Sequence, residues 1–371
     1  MMEVTITGLN HEGEGIARID GKVIFVSNAL EGENVLIEIT KEHKKYNEAK
    51  VIKYLTISPK RVRPICPYYD VCGGCDLMHM SYEDEIEFKK EKVKNILEKY
   101  ADVKIEPEIV KSDKRENYRN KITLHKGFDK PGYVKRNSSE VIDIDECKLA
   151  SPFINNYLQN NNVNEDVVIR SNDNGEVIFT SDKTIIMNIN NLKYQIDINS
   201  FFQVNNYITS KVFEHIIKFI NEEDVVLDLY SGVGTLSIMA STKAKYVYGI
   251  EVNEFSYKNA LDNIILNKVS NAQFLCGKVE DKIDLIKENI TTIITDPPRS
   301  GMDKYTISVI KEKKPKKVIY MSCDPITLAR DLKLMSDIYE IKSITLFDMF
   351  PCTKHIESVV ILNYKNNWKD V

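Results

Sequence analysis

Cys323 stands directly after an apolar run, at the point where a strand would end. The run covers residues 318–321 (VIYM), Ser322-Cys323-Asp324-Pro325 follows it, and a helical pattern begins after the proline. Ligands of parallel α/β sheets bind beyond the carboxyl ends of the strands, so a thiolate at this position could act as a nucleophile. The alternative is a small buried hydrophobic residue, which is the usual state of a free cysteine.

A second candidate site follows the run VVLDLY at residues 225–230. The next residues carry Gly232 and Gly234, which allow a tight turn and a close approach to a ligand. Glu251 ends the following strand-like run, 23 residues after Asp228, the offset expected of a carboxylate that binds ribose hydroxyls. A third glycine is absent, which disfavours NAD and favours an adenosine-type cofactor, with S-adenosylmethionine as the candidate. The alternative is a structural turn between a strand and a helix.

A third feature is the corner Asp296-Pro297-Pro298 at the end of the run TTIITD. An acid followed by two prolines makes a rigid, exposed corner. Methyltransferases that act on nucleobases commonly have such a corner between the cofactor and the target. A plain loop is the alternative.

Cysteines form the fourth feature. The chain has seven, and three of them, Cys66, Cys72 and Cys75, lie close together, with Cys147 far downstream. The odd number argues against a disulfide framework. Four thiolates could hold an iron–sulfur cluster or a zinc ion, although the wide first spacing and the distant fourth ligand are unusual for zinc. Free thiols are the third alternative.

The elements that must position these residues fall into three regions. Residues 1–59 contain short strands separated by turns, which predict a small β-barrel. Residues 60–195 predict a central domain, in which residues 81–100 form a surface helix and the Asn-rich stretches near 155–175 and 188–206 form loops. From about residue 200, strand-like and helix-like runs alternate, which predicts an α/β domain with a parallel sheet over 196–371.

Two local stretches are basic although the chain of 371 residues has a net charge of −4. Residues 38–63 carry eight basic against three acidic side chains, and residues 111–136 carry nine against three. Tyr118, Phe128 and Tyr133 are interleaved with the second set. Such surfaces suit RNA, with phosphates on the cations and unpaired bases on the aromatics. Solvated charged faces are the alternative.

The overall composition is that of a soluble globular protein, with 43% hydrophobic and 29% charged residues. No apolar run reaches the length of a membrane span, and the start MMEVTITGLN lacks a signal-peptide pattern. We therefore expect a cytoplasmic protein without a membrane partner, and a monomer by default.

Taken together, these motifs resemble the RNA uracil-5-methyltransferase family. The resemblance covers most of the chain: a TRAM-like barrel, the cysteine cluster, FFQVN at 201–205, DLYSGVG at 228–234, GIE at 249–251, DPPRSG at 296–301, SCDP at 322–325 and HIESV at 355–359. It implies a Rossmann-like class I methyltransferase domain, preceded by a TRAM/OB-like β-barrel and a central α+β RNA-binding domain. It also implies methylation of carbon 5 of a uridine in RNA by S-adenosylmethionine.

The resemblance assigns roles to individual residues. Cys323 would add to carbon 6 of uracil, helped by the N-terminus of the helix after Pro325, and Glu357 would remove the proton from carbon 5. The implied ligands of S-adenosylmethionine are Gln203, Tyr230, Glu251 and Asp296. The implied ligands of a 4Fe–4S cluster are Cys66, Cys72, Cys75 and Cys147.

Large-subunit ribosomal RNA (23S rRNA) is the expected substrate, because the barrel and the cysteine cluster accompany that activity in the family; transfer RNA is the alternative. A radical methylthiotransferase and a non-enzymatic RNA-binding protein are the other candidates, but both leave motifs unexplained. Two residues depart from the family pattern. Asp324 stands where Asn is more frequent, and Met78 stands where Gln is usual.

Overall fold

The computed structural model describes residues 1–179 and 183–365. Its N-terminal part has the strands β1 (Met2–Thr5), β2 (Gly8–Leu9), β3 (Gly15–Ile19), β4 (Lys22–Ser27), β5 (Asn34–Glu42) and β6 (Tyr46–Tyr54). They form one sheet in the order β1-β5-β6-β4-β3-β2. The sheet curls into a barrel because the chain after β1 bonds to both sides: the amide of Ile6 donates to Glu33 (2.9 Å) and that of Thr7 to Ile16 (2.8 Å).

The central part contains two smaller sheets. Its elements are α1 (Tyr82–Ala101), β7 (Glu108–Val110), β8 (Lys121–Lys126), β9 (Pro131–Val134), β10 (Val141–Asp143), α2 (Pro152–Asn160), β11 (Val167–Ser171), β12 (Val177–Ile178), β13 (Thr184–Ile189) and β14 (Leu192–Asp197). One sheet has the order β10-β9-β8-β11-β12, and β13 and β14 form a hairpin. The loops predicted near 155–175 and 188–206 were therefore partly wrong, since these stretches include α2, β11 and β14.

The C-terminal part is an open α/β sheet. Its elements are α3 (Asn206–Ile216), β15 (Val225–Leu229), α4 (Thr235–Ser241), β16 (Tyr246–Glu251), α5 (Glu254–Leu266), β17 (Ala272–Cys276), α6 (Val279–Lys282), β18 (Thr292–Thr295), α7 (Lys304–Lys313), β19 (Lys317–Ser322), α8 (Pro325–Met335), β20 (Tyr339–Phe347) and β21 (Glu357–Tyr364), with 3₁₀ turns at Ile217–Phe219 and Ile283–Leu285.

The eight-stranded sheet has the order β17-β16-β15-β18-β19-β21-β20-β7. Strands β15 to β19 are parallel, as the alternating pattern predicted, and β21 runs antiparallel between β19 and β20. The strand order reverses direction between β15 and β18. Ligands of such sheets bind at this reversal, beyond the carboxyl ends of the strands.

Separate apolar cores cover the two faces of this sheet. Neighbouring residues of one strand alternate between them: Tyr320 lies in one core, and Ile319 and Met321 lie in the other. The continuous apolar runs of these strands therefore reflect burial on both faces. No described helix is both long enough and apolar enough to cross a membrane.

Helix α1 and strand β7 belong to the central part of the chain but extend the C-terminal layers. The apolar face of α1, with Val93 and Leu97, lies in the same core as Leu328 and Leu332 of α8. Strand β7 pairs in parallel with β20 at the edge of the sheet. The helix predicted at the surface thus buries one complete face. The domain limits 59/60 and 195/196 stay predictions. The packing of α1 on α8 joins the central part to the C-terminal part across the limit 195/196.

Candidate active site

The turn between β15 and α4 has an unusual backbone conformation. Tyr230, Gly232 and Gly234 all have positive φ angles, of 62°, 55° and 82°. A Cβ atom at Gly234 would also lie 2.8 Å from the ring of Phe274. Glycine is therefore needed at this position for two reasons, conformation and space. The turn brings backbone N–H groups to the carboxyl end of the sheet.

Glu251 holds this turn in place. Its side chain is 8% exposed at the end of β16. One carboxylate oxygen accepts a hydrogen bond from the amide of Gly232 (2.8 Å), and the other accepts one from the amide of Asn253 (2.6 Å). The spacing that suggested a ribose ligand thus places Glu251 directly against the glycine turn.

A cavity of about 50 Å³ lies beside the turn, and we call it the Gln203 cavity. It brings together three of the residues implied for S-adenosylmethionine, Gln203, Tyr230 and Asp296. Asp228, Gly232 and Met321 also line it, whereas Glu251 does not. The motif around Gln203 was the only sequence signal for that residue, because it lies before the α/β pattern begins.

Two carboxyl groups of the Gln203 cavity have raised pKa values. Burial raises the pKa of Asp296 to about 7, while the side-chain amide of Gln203 donates to it at 3.4 Å and opposes the shift. Burial likewise raises the pKa of Asp228 to about 7, against a hydrogen bond from the hydroxyl of Ser237 (2.5 Å). Asp228 was used in the sequence only as a reference point, and the structure adds it to the site.

Cys323 follows β19 and immediately precedes the N-terminus of α8. The carboxylate of Asp324 caps that helix by accepting the amides of Ile326 (2.9 Å) and Thr327 (3.0 Å). The backbone amides at the start of α8 were expected to favour a thiolate at Cys323, but they donate to the carboxylate of Asp324 instead. Cys323 itself is half-buried.

The charge state of Cys323 is set by its surroundings. Burial, followed by the nearby carboxyls of Glu357 and Asp296, raises the pKa of its thiol to about 12. The Arg299 guanidinium opposes this shift, and Asp324 adds to it. The expected help from the helix N-terminus is therefore outweighed, and the thiol is neutral at pH 7 in this structure.

Glu357 begins β21 and is 2% exposed. Its Oε1 atom is buried and has no hydrogen-bond partner among the described residues. Burial, reinforced by the charge of Asp296, raises the pKa of this carboxyl well above its usual range. The sequence alone gave no sign of this environment, since an acid at the start of a strand is usually exposed.

Strand register brings Cys323 and Glu357 together. Strands β19 and β21 are antiparallel neighbours, and Ser322 pairs with Ser358. The residue after Ser322 is Cys323, and the residue before Ser358 is Glu357, so the two stand opposite each other at one end of the sheet. The two residues that the family motifs implied for catalysis, 34 positions apart in the chain, are thus adjacent.

A second cavity, of about 200 Å³, opens at Cys323, and we call it the Cys323 cavity. It is lined by residues from the barrel, from α1 and from the C-terminal part: Glu12, Lys92, Arg299, Cys323, Asp324, Pro325, Lys354, His355 and Ile356. Burial lowers the pKa of His355 to about 4, so its ring is neutral. Sequence reasoning missed Glu12, Lys92 and Lys354, because nothing local relates them to Cys323.

The four candidate cluster cysteines line a third cavity, of about 250 Å³. Burial raises the pKa of Cys66, Cys72 and Cys75. Within residues 1–179 and 183–365, no group of three or more His, Cys, Asp or Glu side chains is arranged to hold a metal ion. The predicted cluster ligands therefore stay a prediction, which rests on the four cysteines that line one cavity.

The two basic stretches differ in how their aromatic residues are used. Tyr118 is buried and donates its hydroxyl to the carbonyl of Pro351 (3.0 Å), and Tyr133 lines the cysteine cavity. Phe128, by contrast, is 94% exposed on the turn between β8 and β9. Phe128 is therefore the aromatic side chain of residues 111–136 that is free to stack on a base.

Comparison with known proteins identifies the family. The family model described as tRNA (uracil-5-)-methyltransferase matches residues 144–365, and the TRAM domain model matches residues 1–52. The chain belongs to this family. It is therefore an RNA methyltransferase with an N-terminal TRAM domain, and the predicted class I methyltransferase fold is confirmed.

Relatives match this RNA methyltransferase along its whole length. An uncharacterized RNA methyltransferase of Caldanaerobacter subterraneus is 34% identical, with 97% of each chain covered. Another from Listeria innocua is 30% identical, with 98% of each covered. Among solved structures, the tRNA (uracil-54, C5)-methyltransferase of Pyrococcus abyssi, in complex with S-adenosyl-L-homocysteine, is 27% identical with a TM-score of 0.80, covering 97% of this chain and all of that one.

Proposed function

We propose that this enzyme methylates carbon 5 of a uridine in RNA, with Cys323 as the nucleophile and Glu357 as the base. S-adenosylmethionine, when bound, supplies the methyl group. The observation that carries this proposal is the register of β19 and β21, which pairs Ser322, the residue before Cys323, with Ser358, the residue after Glu357. The Gln203 cavity lies at the carboxyl end of the same sheet, where a cofactor of this fold binds.

The chemistry requires a nucleophile because carbon 5 of uracil is too poor in electrons to take a methyl group unaided. The thiol of Cys323, which is neutral in this structure, first releases its proton to solvent; the thiolate then adds to carbon 6, and the electrons of the 5,6 double bond move to form an enolate. Carbon 5 then carries electron density and accepts the methyl group. This covalent route replaces one difficult step by several easier ones.

Glu357 acts in the second half of the reaction. Once the charge of the thiolate has been consumed, the carboxyl releases its own proton to solvent. The carboxylate then takes the proton from carbon 5, the electrons of that C–H bond restore the double bond, and the bond from carbon 6 to sulfur breaks to release the thiolate. The buried site that raises the pKa of Glu357 makes this carboxylate a stronger base than an exposed one. The protonated product of the step is the form that burial favours.

Residues at the turn and the corner hold the cofactor in this proposal. Gln203, Tyr230 and Asp296, which line the cavity, would hold S-adenosylmethionine, and Glu251, beside the glycine turn, would bind its ribose. The Pyrococcus abyssi structure, which contains S-adenosyl-L-homocysteine, supports this class of cofactor.

RNA containing 5-fluorouridine tests the mechanism. The fluorine at carbon 5 cannot be removed as a proton, so the adduct persists after methyl transfer. We expect a covalent RNA–protein complex on a denaturing gel, with the modified peptide containing Cys323. A radical methylthiotransferase or a non-enzymatic RNA-binding protein would form no adduct at this residue.

The substrate that we propose first is large-subunit ribosomal RNA, since the barrel and the cysteines accompany that activity in the family. Transfer RNA is the second candidate, and the whole-chain similarity to a transfer RNA enzyme favours it. Mass spectrometry of digested RNA from cells with and without this gene separates the two. Loss of 5-methyluridine from one RNA class identifies the substrate.

Cys66, Cys72, Cys75 and Cys147 hold a 4Fe–4S cluster in this proposal, with a structural role. The cavity that they line supports it, because all four thiols face one volume. Anaerobic purification followed by iron, zinc and sulfide analysis tests it. About four irons and four sulfides per chain are expected, whereas one zinc, or no metal, would contradict the cluster.

A further inference from the structure

We propose that Lys92, Arg299 and Lys354 form the site for an RNA backbone phosphate at the target uridine, and that Glu12 occupies this site until RNA displaces it. The inference rests on the proposed function, in which the uridine reacts at Cys323. All four residues line the Cys323 cavity, and so does the thiol itself. The ligand is a phosphodiester, which carries one negative charge, as the carboxylate of Glu12 does.

Four separate parts of the chain contribute these side chains. Glu12 lies in the turn between β2 and β3 of the barrel, Lys92 lies on α1, Arg299 follows the Asp-Pro-Pro corner, and Lys354 lies in the loop between β20 and β21. Convergence of three cations from distant positions on one cavity is not explained by local chain properties. A nucleotide that enters this cavity to reach Cys323 brings its own phosphate with it.

The three cations are only partly neutralised within the described part of the chain. Lys354 forms an ion pair with Glu12, and its Nζ lies 3.9 Å from Oδ1 of Asp76. The Nζ of Lys92 donates to the backbone carbonyl of Lys354 (3.0 Å) and has no carboxylate within ion-pair distance. Arg299 is exposed and also lacks an ion pair.

Acidic groups near the cavity do not compete equally for these cations. Asp324 already accepts two amides at the start of α8. Asp76 is bound by Arg136 at 3.7 Å as well as by Lys354. Glu12 is therefore the carboxylate whose principal partner is Lys354, and its departure leaves that cation free.

The turn that carries Glu12 is built to hold it over the cavity. The side-chain oxygen of Asn10 accepts the amides of Glu12 and Glu14, both at 2.9 Å. Gly13 has a φ of 84°, and a Cβ atom there would lie 2.5 Å from Cδ2 of Leu77, next to the cysteine segment. The turn is thus fixed at its base.

The ion pair at the tip of this turn remains accessible. The side chains of Glu12 and Lys354 are 41% and 27% exposed, so water and a phosphate can reach the contact. A pair with this exposure adds little to stability. A carboxylate at a phosphate site, however, weakens RNA binding until it is displaced.

The test is the affinity for RNA of the full-length protein, measured by fluorescence anisotropy over a range of salt concentrations. We expect Glu12→Gln to tighten binding by on the order of 3- to 10-fold. Lys354→Ala and Lys92→Ala should weaken binding and reduce the slope of log affinity against log salt by about one each. The gain from Glu12→Gln should vanish in the double variant with Lys354→Ala.

Glu3→Gln is the matched control. Glu3 is an exposed carboxylate on β1 of the same barrel, has no ion pair within the described residues, and does not line the cavity. Glu3→Gln changes the net charge by the same amount as Glu12→Gln, but it lies outside the cavity, so we expect a smaller effect on the affinity for RNA. An equal gain in RNA affinity in the two variants would mean that only the net charge of the protein matters. Weaker RNA binding by Glu12→Gln would mean that the ion pair of Glu12 with Lys354 only holds the barrel in place. Either result overturns the inference.

The adduct with 5-fluorouridine RNA, formed at saturating RNA, separates the two proposals. An adduct in the wild type without tighter binding by Glu12→Gln overturns the phosphate site alone. Absence of an adduct in every variant overturns the proposed reaction, whatever the affinities are. Thermal unfolding of each variant shows whether it is folded.

Discussion

Cys323 and Glu357 influence each other through charge. They stand opposite each other at the end of neighbouring strands, and the carboxyl of Glu357 is, after burial, the first contributor to the raised pKa of the thiol. Two groups so close in a buried site do not readily carry two negative charges at once. In the proposed reaction they carry charge in turn, because the thiolate loses its charge on bonding to carbon 6 before the carboxylate acts.

Substitutions of Cys323 and of Glu357 should therefore stop the reaction at different stages. Cys323→Ala should abolish the adduct with 5-fluorouridine RNA. Glu357→Gln should allow methyl transfer but slow release by at least about 100-fold, because the proton on carbon 5 has no acceptor. A denaturing gel with ordinary uridine RNA should then show a persistent covalent complex for Glu357→Gln. Normal turnover by this variant would contradict the assignment of the base.

The pH dependence of Cys323 offers a second test at the level of single charges. Asp324→Asn removes a negative neighbour and keeps a helix-capping side chain, so the pKa of the thiol should fall. Arg299→Ala removes a positive neighbour, so the pKa should rise. Alkylation of the Cys323 peptide should begin at lower pH in the first variant and at higher pH in the second.

Mass spectrometry after treatment with iodoacetamide measures this alkylation. The Cys276 peptide is the internal reference, since Cys276 ends β17 and three strands separate β17 from β19 in the sheet. Shifts of the same sign in both variants would contradict the electrostatic explanation.

Single residues also show what sequence can and cannot provide. The 23-residue offset found Glu251 because strand, turn and helix lengths fix it locally. The raised pKa of Glu357 was out of reach, because its environment comes from a strand pairing between distant segments. Glu12 and Lys354, 342 positions apart, meet only in the folded chain.

At the scale of elements, a buried network of ion pairs connects α1 to the loop between β20 and β21. Lys89 is fully buried and its Nζ binds Glu85 (2.7 Å) and Asp348 (2.6 Å). Burial opposes the charge, but the two carboxylates outweigh it and raise the pKa of Lys89. Asp348 begins the loop between β20 and β21, which also carries Lys354.

Removing this buried cation should destabilise the protein strongly. Lys89→Met would leave the buried Asp348 without its cation and Glu85 with Arg115 alone (2.9 Å), with an expected loss of about 3–5 kcal/mol in the free energy of unfolding. Lys90→Met is the matched control on the same helix, since Lys90 pairs with the exposed Glu106 (2.6 Å) and should matter little. Thermal or urea unfolding compares them. Equal effects would contradict a special role for the buried network.

Helices and strands were predicted correctly where apolar residues recur with a regular period, and incorrectly where a high content of Asn suggested loops. The alternation of strands and helices after residue 200 gave the parallel sheet. The Asn-rich stretch near 188–206 contains the end of β13 and all of β14. Ile185, Met187 and Ile189 of β13 alternate toward the core, while Asn190 and Asn191 make the hairpin turn with positive φ. The turn propensity of Asn outweighed that alternation in the sequence-based interpretation.

At the scale of the whole molecule, the C-terminal part depends on the chain before it. A fragment of residues 196–371 would lack α1 and β7, exposing the apolar surface of α8 and the edge of β20. We expect this fragment to aggregate and not to bind S-adenosyl-L-homocysteine, whereas residues 60–371 should fold and bind it. Circular dichroism melting and calorimetry measure the two properties. Cooperative unfolding and full affinity of the shorter fragment would contradict this dependence.

Strand β21 has a consequence for the order in which the protein is made. It is the last described strand to be synthesised, yet it lies inside the sheet, between β19 and β20. A chain still emerging from the ribosome therefore has β19 and β20 without the strand that joins them, and it also lacks Glu357. The sheet can close, and Cys323 can meet Glu357, only after residues 357–364 have been made. In the proposed reaction, a nascent chain that holds Cys323 but not yet Glu357 can therefore not complete turnover on the RNA around it.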